Sequence, residues 1–212
     1  MSTTINTDPV FTKNGVFNTG KTITAQNIAK DGTGTVVTVF DPQRAASSLT
    51  SSQITATFSS VEPHGFSNGE EILITGVTES GYNGIKTITV TGPKSFTYTV
   101  ASGLSTPATG TPVADPINGQ RITKVVFQPI GACVASAGRI FLNNGQSNST
   151  PGNNTYLKDV SLPLLAAVSE VISMPQTEVI LDIVVPPFHK LNVTLGTTVA
   201  TAYSVYAVAG SY

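Results

Sequence analysis

The sequence contains no tryptophan, one cysteine and two histidines among its 212 residues. A single cysteine excludes an internal disulfide and any metal site built from several thiolates. Because free cysteine is among the most buried residue types, Cys133 is predicted to be a small apolar core residue beside Ile130 and Val134. The fold must therefore be stabilised without disulfide cross-links.

Charge is scarce as well. Only 11% of the residues are charged, compared with about 25% in an average globular domain. Eleven basic side chains, three of them arginine, oppose twelve acidic ones and leave a formal charge of −1. Such a chain lacks the basic field that provides most nucleic-acid affinity, so no nucleic-acid partner is expected. A surface rich in threonine, serine and asparagine favours permanent contacts with other subunits, because hydroxyls cost less to desolvate than charges.

Long apolar runs are also missing. No run approaches the roughly 20 residues that a membrane-spanning helix needs. The segment Met1–Val10 is polar and lacks the basic and apolar regions of a signal peptide. The sequence therefore predicts no membrane partner.

The chain does contain strand-like alternation, rich in valine, isoleucine and threonine, which favour pleated sheet. In Val179–Val185, for example, every second residue from Val179 is apolar, and Asp182 between them faces outward. Eight antiparallel strands in two sheets are what a jelly roll requires. We therefore predict an all-β protein whose base is a jelly-roll-like β-sandwich. The expected strands are Lys21–Ile28, Thr35–Phe40, Ile122–Gln128, Arg139–Leu142, Tyr156–Leu162, Val179–Val185, Lys190–Leu195 and Tyr203–Ala209.

Alternation also assigns side chains to faces of these strands. In the seventh strand, Asn192 and Thr194 are expected to face outward. In the fifth, the pattern is mixed and places Leu157 and Val160 on opposite faces. Only Pro163–Val171 could form a helical turn.

The middle of the chain differs in style and is predicted to be an inserted β-sandwich or barrel, residues 47–116. Ser47–Ser52 is interpreted as a polar bridge and Gly103–Pro116 as a linker rich in proline, threonine and glycine. The discontinuous base would then comprise residues 21–46 and 117–212. The four strands expected in the insertion are Ile54–Phe58, Glu71–Thr75, Ile85–Val90 and Phe96–Val100.

Residues 1–20 carry turn signals without sustained periodicity and are interpreted as an extended N-terminal arm. An arm that lacks a core pattern but contains scattered apolar residues is suited to ordering on a neighbouring subunit. The apolar residues of the arm are Ile5, Val10, Phe11, Val16 and Phe17.

Few residues point to chemistry. His64 and His189 each lack further ligands at metal-site spacing, so both are predicted to be turn histidines bonded to the backbone. Glu70, Glu71 and Glu79 could in principle supply paired carboxylates for glycoside chemistry. The first two are adjacent and point to opposite faces of a strand, which favours a solvated edge.

Two further motifs are interpreted as chance matches. Residues 15–22 fit the P-loop letters, but no apolar strand precedes Gly15 and β-like sequence follows Lys21 where a helix is needed. Sequons at Asn148, Asn153 and Asn192 are expected noise in a chain rich in asparagine and threonine. We predict no catalytic, cofactor-binding or metal-binding residue, and we expect that the protein is not an enzyme.

Five segments carry a resemblance in their order along the chain: Asp31–Val36, Asn118–Ile122, Arg139–Gly145, Leu191–Gly196 and Tyr203–Tyr212. The series resembles a family of tailed-bacteriophage virion structural proteins, many of which are capsid decoration (cement) proteins. The resemblance implies synthesis in the host cytoplasm, a place on the outer surface of the capsid, the major capsid protein as partner, and a homotrimer.

A second set of residues lies in the inserted unit: His64-Gly65-Phe66, Gly69, Ile72, Ile74-Thr75-Gly76, Tyr82-Asn83-Gly84 and Phe96-Thr97-Tyr98. With these residues the unit resembles a small β module common in phage and bacterial surface proteins. An alternative function follows from this likeness: a tail-associated or fibre-like protein whose module binds host surface glycans. Tyr82 and Phe66, on exposed turns, would then stack on sugars, although core packing is the competing interpretation for both.

Overall fold

A computed structural model describes residues 13–17, 20–166 and 174–211, with side chains for 20–166 and 174–210. These residues form strands and two short 3-10 turns, Ser80–Tyr82 and Pro151–Asn153. The predicted all-β class is confirmed, and none of the described helices could span a membrane. The strands are β1 (Lys13–Phe17), β2 (Lys21–Ile23), β3 (Val37–Phe40), β4 (Arg44–Ser52), β5 (Thr55–Ser60), β6 (Glu71–Val77), β7 (Gly84–Thr87), β8 (Thr89–Gly92), β9 (Ser95–Thr99), β10 (Gly110–Pro116), β11 (Gln120–Pro129), β12 (Ser136–Asn143), β13 (Asn154–Leu162), β14 (Thr177–Val185), β15 (Lys190–Leu195) and β16 (Tyr203–Ser211).

The chain divides into two compact units. The first unit is discontinuous and consists of the residues up to Asp41 and those from Gly119 onward. The second unit is Pro42–Asn118. Each unit has its own hydrophobic core, and the two cores share no residue.

The first unit is a sandwich of two antiparallel sheets. One sheet has the order β1-β16-β11-β14, with β2 also paired to β16, and the other has the order β13-β12-β15-β3. If β1 and β2 together count as the first of eight positions, the sheets hold positions 1-8-3-6 and 2-7-4-5. This strand order is the one expected of a jelly-roll sandwich.

Apolar side chains from both sheets fill the space between them. Val125 and Phe127 of β11 share the inward face, and Ile140 of β12 belongs to the same core from the other sheet. Gly138 of β12 lies so close to Phe127 that an added Cβ would come within 2.8 Å of its ring. The glycine therefore lets the two sheets approach at this point.

The strand β15 corrects one prediction. Asn192 and Thr194, expected to face outward into solvent, are buried. The hydroxyl of Thr38 donates to Asn192 Oδ1 at 2.8 Å. The loop between β2 and β3, residues 24–36, packs on this face of the sheet. Gly32 within this loop lies against the ring of Phe141. Alternation predicted the face correctly, but it could not show that a loop covers it.

The same loop shows why the first expected strand, Lys21–Ile28, ends early. Only Lys21–Ile23 forms a strand, and the chain then turns away. The buried Asn27 organises the turn, because its Nδ2 donates to the carbonyl oxygens of Thr33 (2.5 Å) and Thr35 (2.9 Å). A side-chain amide that bonds to nearby backbone competes with the sheet ladder for those carbonyls.

A β-bulge in β13 corrects a second prediction. Ile140 is paired with Lys158, and Phe141 is paired with Tyr156, so Leu157 is an extra residue in the ladder. Leu157 and Val160 therefore both pack against the core rather than on opposite faces. A bulge shifts the two-residue period by one position, which explains the mixed pattern in the sequence.

The second unit is one antiparallel sheet of seven strands, in the order β7-β6-β10-β4-β5-β9-β8. Its two outermost strands, β7 and β8, are consecutive in the chain and are separated only by Ile88. Ile88 bonds to the opposite loop twice, since its N–H donates to Glu70 and its carbonyl accepts from Gly69. The sheet therefore curls into a nearly closed barrel-like sandwich.

Three predictions about the insertion are wrong in detail. Ser47–Ser52, interpreted as a polar bridge, lies within β4, and the supposed linker Gly103–Pro116 contains β10. These polar segments are held as strands by their neighbours, because β4 pairs with both β5 and β10. The strand expected to begin at Ile54 begins at Thr55, and Ile54 itself is 55% exposed and follows Gln53, whose φ is +53°.

The N-terminal arm is also partly corrected. Lys13–Phe17 pairs with β16 of its own chain. This part of the arm therefore belongs to the sandwich and is ordered without a neighbouring subunit. Ile5, Val10 and Phe11 lie outside the described residues.

The helical turn considered for Pro163–Val171 is not found in its described residues 163–166. Leu165 there pairs with Cys133 in an isolated bridge. Residues 167–173 lie outside the described part of the chain.

We predict that Gly138→Ala destabilises the protein by about 1–3 kcal/mol, because its methyl group would overlap the Phe127 ring. The midpoint of urea unfolding measures the loss. Gly152→Ala is the matched control, since nothing lies within 4 Å of an added Cβ there. Phe127→Leu should make the Gly138→Ala change less costly, and purely additive effects of the two substitutions would contradict the proposed overlap.

Candidate interaction surface

The two histidines occupy structural positions, as predicted. His64 is buried; its Nε2 lies 2.9 Å from the carbonyl oxygen of Gly92, and its Nδ1 accepts from the N–H of Phe66 at 3.0 Å. These partners assign the proton to Nε2. The ring also packs edge-on against Phe96, with centroids 5.4 Å apart. His189 lies with Nδ1 2.9 Å from the carbonyl oxygen of Pro187.

Two of the three candidate carboxylates accept hydrogen bonds, at separate places. Glu70 accepts from the N–H of Ser67 at 2.6 Å. Glu79 accepts from both the N–H and the hydroxyl of Thr109, each at 2.8 Å, and these bonds lower the pKa of the Glu79 carboxyl. Glu71 is exposed. The described residues contain no cluster of three or more metal-ligating side chains.

Cys133 is buried, which confirms the prediction for the thiol itself. Its Sγ donates to the carbonyl oxygen of Thr201 at 3.0 Å, and burial raises the pKa of the thiol. A thiol that stays protonated is a poor nucleophile. The expected neighbours Ile130 and Val134 are instead 50% and 46% exposed, so the apolar surroundings come from the sandwich core.

The motif matches also have structural explanations. Lys21, which would be the P-loop lysine, begins strand β2, where a phosphate site needs a helix. Of the sequon residues, Asn192 is buried. Asn148 and Asn153 donate through their side chains to the carbonyl oxygens of Gly34 and Ser147.

The aromatic pair considered for sugar stacking lies in the barrel core. Tyr82 is fully buried, and Phe66 is 7% exposed. The hydroxyl of Tyr82 lies 2.9 Å from the carbonyl oxygen of Ser105 and 2.7 Å from Ser51 Oγ. Core packing, the competing interpretation, is therefore correct for both residues, and the glycan alternative loses its two candidates.

The outward face of two neighbouring strands in the five-stranded sheet has a different character. Two of the three ion pairs found in the described part of the chain cross between β11 and β14 here. Arg121 Nη2 lies 2.5 Å from Asp182 Oδ1, and Lys124 Nζ lies 2.6 Å from Glu178 Oε1. We name this surface the β11–β14 outer face; it consists of Arg121, Lys124, Glu178, Ile180, Asp182 and Val184.

Exposed aliphatic side chains alternate with the acids along β14. Ile180 is 59% exposed and Val184 is 52% exposed, while Val179 and Val185 on the opposite face are buried. In register, Ile180 is opposite Lys124 on β11. Apolar residues on both faces of one strand are unusual for a sheet that has one solvated side.

A bulge places the two basic residues on the same side. The pairing with β16 runs from Ile122 directly past Thr123 to Lys124, so Thr123 is the extra residue, and its hydroxyl donates to the carbonyl oxygen of Val208 at 3.1 Å. Arg121 and Lys124, three residues apart, both reach partners on β14 as a result. Strict alternation would have put them on opposite faces.

The sequence contains one signal for this surface. Between Val179 and Val185 the outward positions hold Ile180 and Val184 as well as Asp182, so the run is apolar in both phases. Such a run indicates a strand covered on both sides. The ion pairs, in contrast, depend on the Thr123 bulge and could not be found from spacing.

We predict that Glu79→Gln destabilises the barrel more at neutral pH than at pH near 3. The folded pKa of this carboxyl lies below its ordinary value of 4.5, so its stabilisation is present above that value and disappears as pH falls through the lowered one. Urea midpoints of both proteins at the two pH values measure the difference. In a Thr109→Ala background the effect should shrink, and equal differences at both pH values would contradict the prediction.

Comparison of the chain with protein-family models, with curated proteins and with solved structures found no match. The likeness to phage virion proteins therefore remains a prediction that depends on the residues quoted for it.

Proposed function

We propose that this protein is a non-enzymatic structural component of a tailed-phage particle, a decoration protein on the outer surface of the capsid that binds the major capsid protein. Its contribution is mechanical, because it adds contact area that must be broken before neighbouring shell subunits separate. Support comes from a sandwich with jelly-roll strand order and from side chains, such as His64, Glu79 and Cys133, whose polar groups bond within the fold.

The observation that carries the proposal is the β11–β14 outer face. Its aliphatic side chains are exposed on two hydrogen-bonded strands, beside the two ion pairs that join β11 to β14. Burying the exposed half of Ile180 and of Val184 would contribute roughly 1 kcal/mol each. The charges between them are already paired, which lets them act as a polar rim that sets orientation and association rate.

Attachment to a shell multiplies a modest energy. Stable permanent interfaces bury about 2,000 Å² or more, and a protein that bridges two subunits of a lattice gains from the high effective concentration of the second contact. Surface hydroxyls and amides suit the remaining contact area, since only 11% of the chain is charged.

We predict that Ile180→Glu weakens attachment to the shell by at least about tenfold, because a carboxylate would have to be desolvated in the contact. Co-sedimentation with shells assembled from the major capsid protein alone measures the affinity. The matched control is Ile54→Glu, which alters an equally exposed isoleucine of the barrel. Thermal unfolding of both variants checks that the fold is retained.

The results separate the surface from the function. Undiminished attachment of Ile180→Glu would rule out the β11–β14 outer face as the contact. A wild-type protein that does not sediment with shells, or that is present in only a few tens of copies in the particle, would contradict the decoration role itself.

We further propose that the protein assembles as a homotrimer, the state that the family resemblance implies. A monomer with so few charged residues has low solubility, which favours self-association. Light scattering after size exclusion should give about 66 kDa, three times the 22.0 kDa of one chain. A mass of one chain at all concentrations would contradict the trimer as an intrinsic property.

A further inference from the structure

Four asparagine–glycine pairs lie where both side chains and backbone are described: Asn68-Gly69, Asn83-Gly84, Asn118-Gly119 and Asn144-Gly145. Asparagine before glycine is chemically vulnerable, because the glycine nitrogen, unshielded by a Cβ, can attack the side-chain amide carbon. The attack requires a free amide group, a free N–H and close approach of the two atoms. The same reactive dipeptide therefore occurs in four different structural environments.

Asn83 is held most firmly. Its Oδ1 accepts from the N–H of Val77 at 3.2 Å, and its Nδ2 donates to the carbonyl oxygen of the same residue at 2.8 Å. The side-chain amide is therefore fixed at both of its polar atoms to strand β6. Attack by Gly84 would require both bonds to break first.

Asn68 and its glycine are held at two points in the barrel. Asn68 Oδ1 accepts from the N–H of Val90 at 3.0 Å. The N–H of Gly69, which would have to lose its proton to attack, donates to the carbonyl oxygen of Ile88 at 2.8 Å. Both reacting groups are thus engaged.

Asn144 lies in the turn between β12 and β13 and is held in the same two ways. Asn144 Oδ1 accepts from the N–H of Gln146 at 3.1 Å, and its Nδ2 donates to Asn153 Oδ1 at 3.2 Å. The N–H of Gly145 donates to Asn143 Oδ1 at 2.8 Å.

Asn118 differs from the other three. It is exposed, and within the described part of the chain neither its side-chain amide nor the N–H of Gly119 forms a hydrogen bond. It also lies in a bend outside any strand, directly before β11. Among the described residues, no hydrogen bond has to be broken before the two reacting groups meet.

We infer that Asn118-Gly119 is a site of spontaneous deamidation through a succinimide. The deprotonated nitrogen of Gly119 forms a bond to Cγ of Asn118, the bond from Cγ to Nδ2 breaks, and ammonia leaves with the proton. Water then adds to one of the two imide carbonyls and opens the ring. The products are aspartate, or isoaspartate in which the main chain continues through the side-chain carbon.

The position gives this reaction a structural consequence. Asn118-Gly119 is one of the two links at which the chain passes between the units. Either product adds one negative charge to a chain whose formal charge is −1. Isoaspartate also lengthens the main chain by one methylene immediately before β11, the strand that pairs with both β14 and β16.

The test compares native and urea-unfolded protein during incubation at mildly alkaline pH. Peptide mapping locates a mass gain of about 1 Da at each asparagine, and the unfolded sample supplies the reference rate for each flanking sequence. We expect Asn118 to react in the native protein at nearly its unfolded rate. Asn68, Asn83 and Asn144 should react at least about tenfold more slowly than unfolded, because hydrogen bonds must break first.

Hydroxylamine gives a second readout, since it cleaves the succinimide. Native protein should yield fragments 1–118 and 119–212, and Asn118→Gln should abolish them while Asn144→Gln does not. Gly119→Ala is unsuitable as a control, because an added Cβ would lie 2.7 Å from Val184 Cγ1. Native reaction that is fastest at another of these asparagines, or protection of Asn118 equal to that of the other three, would overturn the inference.

Discussion

The sandwich depends on the double pairing of β11. This ten-residue strand pairs along its length with β14 on one side and β16 on the other. Its inward residues Ile122, Val125 and Phe127 form the centre of the core, and its outward basic residues reach the acids of β14. The bulge at Thr123 keeps both sets in phase. One strand therefore fixes the core and the candidate interaction surface together.

The barrel is built on a different principle. Aromatic side chains fill its core, with Phe58 and Phe96 stacked at 4.8 Å and His64 packed edge-on against Phe96. Backbone groups bond to both nitrogens of the imidazole, so it serves as an aromatic side chain that also links its own loop to the end of β8. Buried polar groups with complete partners specify one packing rather than several.

Much of the fold could be predicted from alternation, and the failures have physical causes. The inward residues of β14 and the pair Val125 and Phe127 followed the two-residue period. Leu157 did not, because an extra residue in the ladder shifts that period without any mark in the sequence. The composition of Ser47–Ser52 predicts a polar bridge. In the structure, the strands on both sides of this segment hold it in extended conformation. The outer face combines both difficulties, since it needs a bulge and a cross-strand register that single residues do not encode.

The closure of the barrel has a consequence for crowding. A sheet edge normally exposes a row of unpaired N–H and C=O groups, to which a strand from another molecule can add. In the barrel the two outermost strands are joined through Ile88 and curl toward one another, so little of such an edge remains open. On the sandwich, Lys158 donates to the carbonyl oxygen of Ile180 at the edge strand β14. Barrels packed side by side at high local concentration therefore offer little edge to which a strand of another molecule could add, which opposes amyloid-like growth through this unit.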